Sequence, residues 1–294
     1  MIRILTNPGA NLSAALLERH RVEMTSSSIM VDGQAHDTRT GVTLDLVDTW
    51  IAGARAYPYV LGTSAAELAR CYVELGAYEG TELLVIMSSR KIIQSYDSAC
   101  SASRTLASQA AAGAPRIRVV DCGSTDLGLG LAVLLAAQAI EAGLGLDEAA
   151  ELVAAMAGCF RFAFVPRTLD NLVKGGKASF LRGWIANLMR VRPLLAFVDG
   201  EVQLVGRCGA GDDHVAVVAD WLSAQQEHEP VWIGIAHGNV PDDAARLEDA
   251  LRQRFEVRYC LTRPITPAVY LHAGRRTIGA VVYPLSRLPW QPAF

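Results

Sequence analysis

The sequence lacks an excess of positive charge. Its 294 residues include 27 Lys and Arg against 30 Asp and Glu, which gives a formal net charge of −3. Proteins whose main task is nucleic-acid binding usually carry a basic face. We therefore expect no nucleic-acid partner.

Paired cysteine spacings are also missing. The cysteines are scattered through the chain in apolar or strand-like surroundings, and they are Cys71, Cys100, Cys122, Cys159, Cys208 and Cys260. None of them shows the short spacing that a zinc site requires. The pattern predicts reduced thiols and no metal centre.

Long apolar runs are absent as well. Arg3 and strand-like residues stand where a secretory signal would place its apolar region. The most apolar segment, 127–142, has about sixteen residues and contains glycines, which is short for a membrane span. These observations predict a cytoplasmic protein without stable membrane insertion.

Motifs for cofactors and for catalysis are incomplete. Gly128 and Gly130 lie near a helix start, but Val133 occupies the third glycine position of the dinucleotide-binding fingerprint. The triplet 175–177 (Gly-Gly-Lys) lacks the upstream glycine and the following Ser or Thr of a phosphate-binding loop. The histidines are dispersed, and no Ser-His-Asp or Cys-His constellation can be assembled from sequence order. We expect no cofactor, no catalytic residue and no catalysis by the chain itself.

Apolar strands that alternate with helices are the main positive feature of the sequence. Residues 83–87 (LLVIM) form a continuous apolar run, typical of a strand buried on both faces of a parallel sheet, and a helical pattern follows. In the second half, 199–200 (Asp-Gly) predicts a hairpin, and 268–271 is interpreted as one of several further strands. We predict an α/β fold with an N-terminal parallel doubly wound sheet, residues 1–155, and a C-terminal mixed α+β domain, residues 156–294.

Hydroxyl-bearing residues occupy several junctions between a strand and a helix. Ser89 and Ser95 follow the strand 83–87, Ser64 and Glu67 have the spacing of a capping box, and 6–11 is a turn-rich loop. Helix N-termini attract anions because their first amides are unpaired and the peptide dipoles are aligned. The junctions predict a site for a carboxylate or a phosphate. Ordinary helix capping is the alternative for each serine.

Several short motifs, taken in order, resemble those of the DegV family, the bacterial fatty-acid-binding proteins that act as acyl carriers for a fatty acid kinase. The similar segments span nearly the whole chain and are 6–12, 32–33, 63–64, 88–99, 121–130, 168–177, 192–193, 199–200 and 272–274. The resemblance implies a two-domain α/β protein that binds one long-chain fatty acid between its domains. It also implies a carrier that supplies no nucleophile, while the kinase converts the bound carboxylate to an acyl phosphate.

The resemblance assigns roles to individual residues. The candidate ligand-binding residues are Thr63, Ser64, Ser89, Ser95, His272 and Gly274. The candidates that face the phosphate or the kinase are Lys177, which stands in place of an Arg, and Arg207. Among the departures from the family pattern, Ile93 stands where the family has a carboxylate-binding Ser, and Gly209 where it has a second cation.

Two other functions are compatible with the same residues. An enzyme could hold a small anionic metabolite at these junctions, and it would then turn over its substrate without a partner. A divergent DegV-like protein could instead bind another amphiphile without any kinase, and the departures at Ile93 and Gly209 favour this alternative over an unchanged copy of the family role.

Overall fold

The computed structural model describes residues 1–110, 113–176, 191–209, 211–224 and 229–292. These residues form two compact units. The first unit comprises residues 1–27, 61–158 and the segment that begins at Leu288, and the second comprises 28–60 and 159–287. Lys177, one of the residues assigned by resemblance, lies outside the described residues.

The elements of the described residues are numbered in chain order. The strands are β1 (Ile2–Thr6), β2 (Val22–Met24), β3 (Ser28–Val31), β4 (Gln34–Asp37), β5 (Tyr59–Leu61), β6 (Glu82–Met87), β7 (Ile117–Asp121), β8 (Arg161–Val165), β9 (Arg192–Val198), β10 (Glu201–Cys208), β11 (Pro230–His237), β12 (Glu256–Pro264) and β13 (Ile278–Pro284). The helices are α1 (Ala14–Arg19), α2 (Leu44–Gly53), α3 (Ala65–Glu74), α4 (Ser95–Gln109), α5 (Leu127–Glu141), α6 (Leu146–Cys159), α7 (Asp170–Lys174), α8 (His214–Ala224), α9 (Pro241–Arg252) and α10 (Pro267–Ala273).

The first unit is built on a parallel sheet with the strand order β2-β1-β6-β7. In register, Thr6 of β1 lies opposite Met24 of β2 and Ile86 of β6. Because β6 is buried on both faces, its sequence shows a continuous apolar run without alternation. All four strands therefore end at one edge, and the chain continues from there into α1 after β1, α4 after β6 and α5 after β7.

Helices α3 and α4 cover one face of this sheet. Leu5, Val85 and Met87 contribute to a buried cluster with Leu68 and Tyr72 of α3, and the Tyr72 hydroxyl donates to the carbonyl of Ala99 in α4 at 3.1 Å. Helix α3 leads into β6 and α4 follows β6, so both helices run antiparallel to that strand. Their N-terminal ends consequently lie at the carboxyl edge of the sheet.

The second unit contains a six-stranded mixed sheet with the order β10-β9-β8-β13-β11-β12. Strands β11 and β12 are parallel, and the other neighbouring pairs are antiparallel. Val218, Leu222, Leu247 and Leu251 from α8 and α9 pack against one face of the sheet. The hairpin predicted at 199–200 is confirmed, because both turn residues have positive φ and join β9 to β10.

Residues 28–60 pack with the second unit, although the sequence pattern predicts that they belong to the N-terminal domain. Their sheet has the order β4-β3-β5, and helix α2 packs on α10. The Tyr270 hydroxyl donates to Asp48 Oδ2 at 2.8 Å, and the Tyr57 hydroxyl donates to the Leu271 carbonyl at 2.6 Å. The position of residues 28–60 thus depends on hydrogen bonds to residues more than two hundred positions later in the sequence.

The segment 268–271 is a helix, so its interpretation as a strand is wrong. It lies within α10, whose N-cap Thr266 accepts a hydrogen bond from Val269 N at 3.4 Å, and Pro267 follows at the first helical position. Thr followed by Pro is a common helix start, because the side chain caps an amide and proline has no amide to satisfy. Four apolar residues were too short a run to distinguish strand from helix.

The cysteines of the described residues are free thiols, as predicted, with Cys122 and Cys208 buried and the others partly exposed. Among the described helices, none combines the length and the apolar character that crossing a bilayer would require. The fold class predicted from the sequence, a parallel sheet followed by a separate mixed sheet, is confirmed.

Candidate functional site

The carboxyl edge of the parallel sheet brings together the starts of α3 and α4. Gly62, in the loop before α3, lies so near α4 that a Cβ placed on it would come within 2.9 Å of Ser95 Oγ and 3.4 Å of Ile93 Cδ1. Ser95 is the first residue of α4, and Gln94 before it makes no side-chain capping bond. Two helix N-termini with anion-attracting amides therefore meet beside Thr63 and Ser95.

Thr63 is buried, with 5% of its surface exposed, and its hydroxyl donates to the carbonyl oxygen of Ser26. A threonine hydroxyl has a single proton. In the free chain that proton is directed at the loop after β2. A stronger acceptor, such as a carboxylate, would compete with the Ser26 carbonyl for it.

Ser64 acts as the N-cap of α3. Its hydroxyl accepts a hydrogen bond from Glu67 N at 3.2 Å and donates to Glu67 Oε2 at 2.7 Å, and its amide donates to the same carboxylate at 3.0 Å. These bonds from Ser64 hold the pKa of Glu67 below its ordinary value. The predicted capping box is confirmed, and Ser64 is exposed with its proton already donated.

Ser89 closes the turn between β6 and α4. Its amide donates to the Ser124 carbonyl at 2.8 Å, and its hydroxyl accepts from Lys91 N at 3.3 Å. The neighbouring Arg90 lies over the ring of Tyr96, 5.2 Å from its centroid, and pairs with Asp97 at 3.0 Å. The hydrogen bonds of Ser89 thus stabilise the loop that positions Ile93 and Ser95.

The loop after β1 contributes a hydrogen-bonded network. Ser88 N donates to Asn7 Oδ1 at 3.1 Å, Asn7 Nδ2 donates to Ser88 Oγ at 3.1 Å, and Thr125 Oγ1 lies 3.4 Å from Ser88 Oγ. Asn11 Nδ2 donates to Asp126 Oδ1 at 2.8 Å. This junction, one of the three that the sequence offered to an anion, joins β1 to the turns after β6 and β7.

His272 and Gly274 lie at the end of α10 in the second unit, next to α7. A Cβ on Gly175 would come within 2.6 Å of His272 Nδ1, and a Cβ on Gly274 within 2.7 Å of Asn171 Nδ2. Gly274 has φ of 79°, which favours glycine. The structure therefore brings together the two glycine-containing motifs, 175–176 and 272–274, that the resemblance matched separately.

Arg207 lies on β10, a strand at the edge of the six-stranded sheet, opposite Pro193 of β9. Its side chain is exposed. Gly209, which follows, donates its amide to Asp212 Oδ2 at 2.7 Å. Within the described residues there is no group of three His, Cys, Asp or Glu side chains that could hold a metal ion.

The family follows from a match over nearly all of the sequence. The family model described as "Uncharacterised protein, DegV family" matches residues 1–285. The chain belongs to the DegV family. A DegV domain-containing protein of Staphylococcus aureus (strain COL) is 24% identical to this DegV-family chain over 283 residues, which cover 95% of the chain and 97% of the relative. The resemblance seen in the motifs is confirmed.

Solved DegV structures have the same fold as this chain. A fatty-acid-binding DegV protein from Thermus thermophilus has a TM-score of 0.88 at 22% identity, covering 97% of this chain and 99% of the other. A protein from Eubacterium ventriosum that is described as binding stearic acid has a TM-score of 0.82 at 19% identity, covering 97% and 98%. At these identities the likeness establishes the fold.

Sequence reasoning did not single out Thr25, which directly precedes Ser26, the acceptor of the Thr63 hydrogen bond. Its side chain is buried, with 2% exposed, and its hydroxyl has no hydrogen-bond partner among the described residues. Its amide donates to the Thr6 carbonyl at 2.8 Å, so it continues the pairing of β1 with β2. The hydroxyl run 25–28 (Thr-Ser-Ser-Ser) directly after β2 was the signal that could have identified it.

Proposed function

We propose that this chain binds a long-chain fatty acid, with the carboxylate held by Thr63 and Ser95 at the N-terminal ends of α3 and α4. The observation that carries the proposal is the contact of Gly62 with Ser95 and Ile93, which places the two helix starts side by side. Membership of the DegV family and the fatty-acid-binding proteins that share the fold support it.

The carboxylate is favoured at this place for two physical reasons. Helix N-termini carry partial positive charge, and hydrogen bonds to an ionised oxygen are about twice as strong as neutral ones. Thr63 can redirect its proton from the Ser26 carbonyl to such an oxygen at little cost, because the bond it gives up is neutral. Ile93 offers an apolar contact next to Ser95, where the first methylenes of an acyl chain can pack.

The acyl tail supplies most of the affinity. Burying a dozen methylenes at about 0.8 kcal/mol each contributes roughly 10 kcal/mol before the entropic cost of binding is subtracted. The hydroxyls then decide which end of the ligand lies at the helix starts. On this basis the chain is a carrier, not an enzyme, and it needs no cofactor.

The second unit contributes residues to the same proposal. We assign His272 and Gly274 to the ligand, as the family resemblance implies, because the His272 imidazole packs against Gly175 and Gly274 packs against Asn171 of α7. Lys177 and Arg207 are assigned to the phosphate donor or to a fatty acid kinase that phosphorylates the bound carboxylate. Such a kinase places the carrier in the cytoplasm.

The test of fatty-acid binding is native mass spectrometry of the purified protein, followed by organic extraction and a titration with palmitate. We expect a mass excess of a C16–C18 fatty acid. Thr63→Val should weaken palmitate binding by about tenfold or more, because a hydrogen bond to a charged group contributes about 1.5–3 kcal/mol.

Thr105→Val is the matched control for this titration. Thr105 is exposed on the same helix as Ser95, and its hydroxyl donates to the Ser101 carbonyl at 3.1 Å. Its replacement should leave the palmitate affinity unchanged. A protein that is isolated empty and takes up no added fatty acid contradicts the proposal.

A second candidate function is binding of an amphiphile without any kinase. It is favoured by Ile93 and Gly209, which replace a hydroxyl and a cation that the resemblance leads one to expect. An assay with ATP and a bacterial fatty acid kinase separates the two functions. Acyl phosphate formed on this carrier supports the first, and tight palmitate binding without phosphorylation supports the second.

A further inference from the structure

Thr25 has a buried hydroxyl that the described protein does not use. The residue is 2% exposed, and its Oγ1 is completely buried without a hydrogen-bond partner among the described residues. Buried polar atoms in folded proteins are nearly always hydrogen-bonded, so the unused Thr25 hydroxyl is a candidate group for binding a ligand.

The strand register shows which face of the sheet Thr25 occupies. Leu5 of β1 lies opposite Glu23 of β2, and paired residues of a parallel sheet share a face. Thr25 is two residues beyond Glu23 and its amide is still bonded to the Thr6 carbonyl, so alternation places it on the same face. Leu5 belongs to the cluster beneath α3 and α4. Thr25 therefore faces the side where these two helices begin.

Thr25 is also at the correct end of the sheet. It follows the last residue of β2, and the next residue, Ser26, accepts the hydrogen bond from Thr63. Adjacent Cα atoms are 3.8 Å apart across a trans peptide, so Thr25 is within one residue of the loop that contacts Thr63. Thr25 therefore lies at the end and on the face of the sheet where α3 and α4 begin, and its hydroxyl has no hydrogen-bond partner among the described residues.

We propose that the Thr25 hydroxyl is a further ligand of the carboxylate and sets the preference of the site for an ionised head group. The inference rests on the proposed fatty-acid site. Thr63 must release the Ser26 carbonyl before it can donate to a ligand, whereas Thr25 has no such bond to release. Two donors on one side and Ser95 on the other match the acceptor capacity of a carboxylate, which exceeds that of an alcohol.

The test compares Thr25→Val with Thr6→Val. Thr6 is buried at the same edge of β1 but on the opposite face, and its hydroxyl donates to the Ile86 carbonyl at 2.8 Å. Thr25→Val should weaken palmitate binding at least tenfold, which is about 1.4 kcal/mol. It should change hexadecanol binding less than threefold and should not lower the melting temperature of the ligand-free protein.

Thr6→Val should show the reverse behaviour, a lower melting temperature with palmitate affinity within twofold of the wild type. Thr25→Ser keeps the hydroxyl and should retain palmitate affinity within threefold, and Thr25→Ala provides a second loss-of-hydroxyl variant if the valine disturbs folding. Unchanged palmitate affinity in Thr25→Val or Thr25→Ala, with weakened binding in Thr63→Val, overturns this inference and leaves the proposed function standing. A wild-type protein that binds no palmitate overturns the proposed function itself.

Discussion

At the scale of the residue, the direction of a single proton decides what each hydroxyl can bind. Thr63 donates to Ser26, Ser64 donates to Glu67 and Thr6 donates to Ile86, so each of these protons has an acceptor within the protein. A ligand at the starts of α3 and α4 must take a proton from such a bond or use a hydroxyl that has none. A neutral hydrogen bond can be exchanged at little net cost, so Thr63 can donate to a ligand instead of to Ser26. Ser64 donates to a carboxylate, which is a stronger bond, and it therefore remains the cap of α3.

Gly62→Ala tests the contact between the two helix starts. The added Cβ would lie 2.9 Å from Ser95 Oγ, so the serine hydroxyl must move away from its position beside Ile93. We expect palmitate affinity to fall about tenfold with a loss of folding stability of about 1 kcal/mol or less, measured by calorimetric titration and thermal unfolding.

Gly53→Ala is the control, because nothing lies within 4 Å of the position that its Cβ would take at the end of α2. It should keep full affinity and raise the free energy of unfolding by up to about 1 kcal/mol. Wild-type affinity in Gly62→Ala would mean that Ser95 takes no part in binding.

The sequence located the hydroxyls at this edge but not the direction of their bonds. Ser89, Ser64 and Ser95 were selected because they follow strands or cap helices, and these are local properties. The Asn7–Ser88 bonds join positions 81 residues apart, and the unused hydroxyl of Thr25 is visible only when its surroundings are known. Hydrogen bonds between residues far apart in the sequence could not be predicted from local patterns.

At the scale of the element, the junction between β11 and α9 depends on a neutral histidine. His237 ends β11, and its Nδ1 accepts a hydrogen bond from Val240 N at 3.3 Å, just before Pro241 begins α9. Burial lowers the pKa of His237 below its ordinary value. Protonation would remove the acceptor and charge a buried ring, so the neutral form belongs to the folded state.

A pH dependence of stability follows from His237. Because its folded pKa is lower than its unfolded pKa of about 6.5, the unfolded chain binds more protons in this range. The stabilisation is fully present above about pH 6.5 and is lost as the pH falls through the folded pKa. We expect the melting temperature to decrease from pH 7.5 to pH 5, and His237→Gln, which keeps an acceptor but does not titrate, to reduce that decrease.

His36→Gln is the comparison for this measurement, because His36 lies on β4, in a different sheet from β11, and its ring packs at a tilt against Trp50 of α2 with 4.6 Å between the ring centroids. It should keep the pH dependence that His237→Gln reduces. An identical pH profile for His237→Gln and the wild type would contradict the assignment.

Elements with strong local signals could be predicted and those with weak ones could not. The 199–200 hairpin and the apolar strand β6 are confirmed, since turn chemistry and a continuous apolar run are specific. Helix α10 was mistaken for a strand because its apolar run is short, although Thr266 and Pro267 marked a helix start.

At the scale of the whole molecule, the order of the units along the chain is not linear. Arg275 pairs with Asp45 at 2.8 Å and with Asp48 at 2.9 Å, and Tyr57 donates to Leu271. These bonds join α2 and the segment after it to α10 and to the turn that follows α10, so residues 28–60 form part of the second unit. No local pattern within residues 28–60 indicates that they pack against residues beyond position 260. Their place in the second unit could therefore not be predicted from the sequence.

This arrangement predicts the behaviour of fragments. A fragment of residues 1–155 retains α2 and the β4-β3-β5 sheet but lacks α10. It should therefore expose more of the partly buried Tyr57 and of α2, and it should not unfold cooperatively. A matched fragment of residues 1–158, in which a short Gly-Ser linker replaces 28–60, should unfold more cooperatively. Circular dichroism melts compare the two, and indistinguishable melts would contradict the division.

The hydrogen bond between Thr63 and Ser26 has an evolutionary consequence. It joins positions 37 residues apart, so the point where the chain leaves the first unit lies beside the point where it returns. Insertions are tolerated where the ends of the inserted segment are close together. The segment between these two points, residues 28–60, can therefore change in length or sequence during evolution while the starts of α3 and α4 stay in place. Related proteins can then vary the second unit while the first unit stays the same.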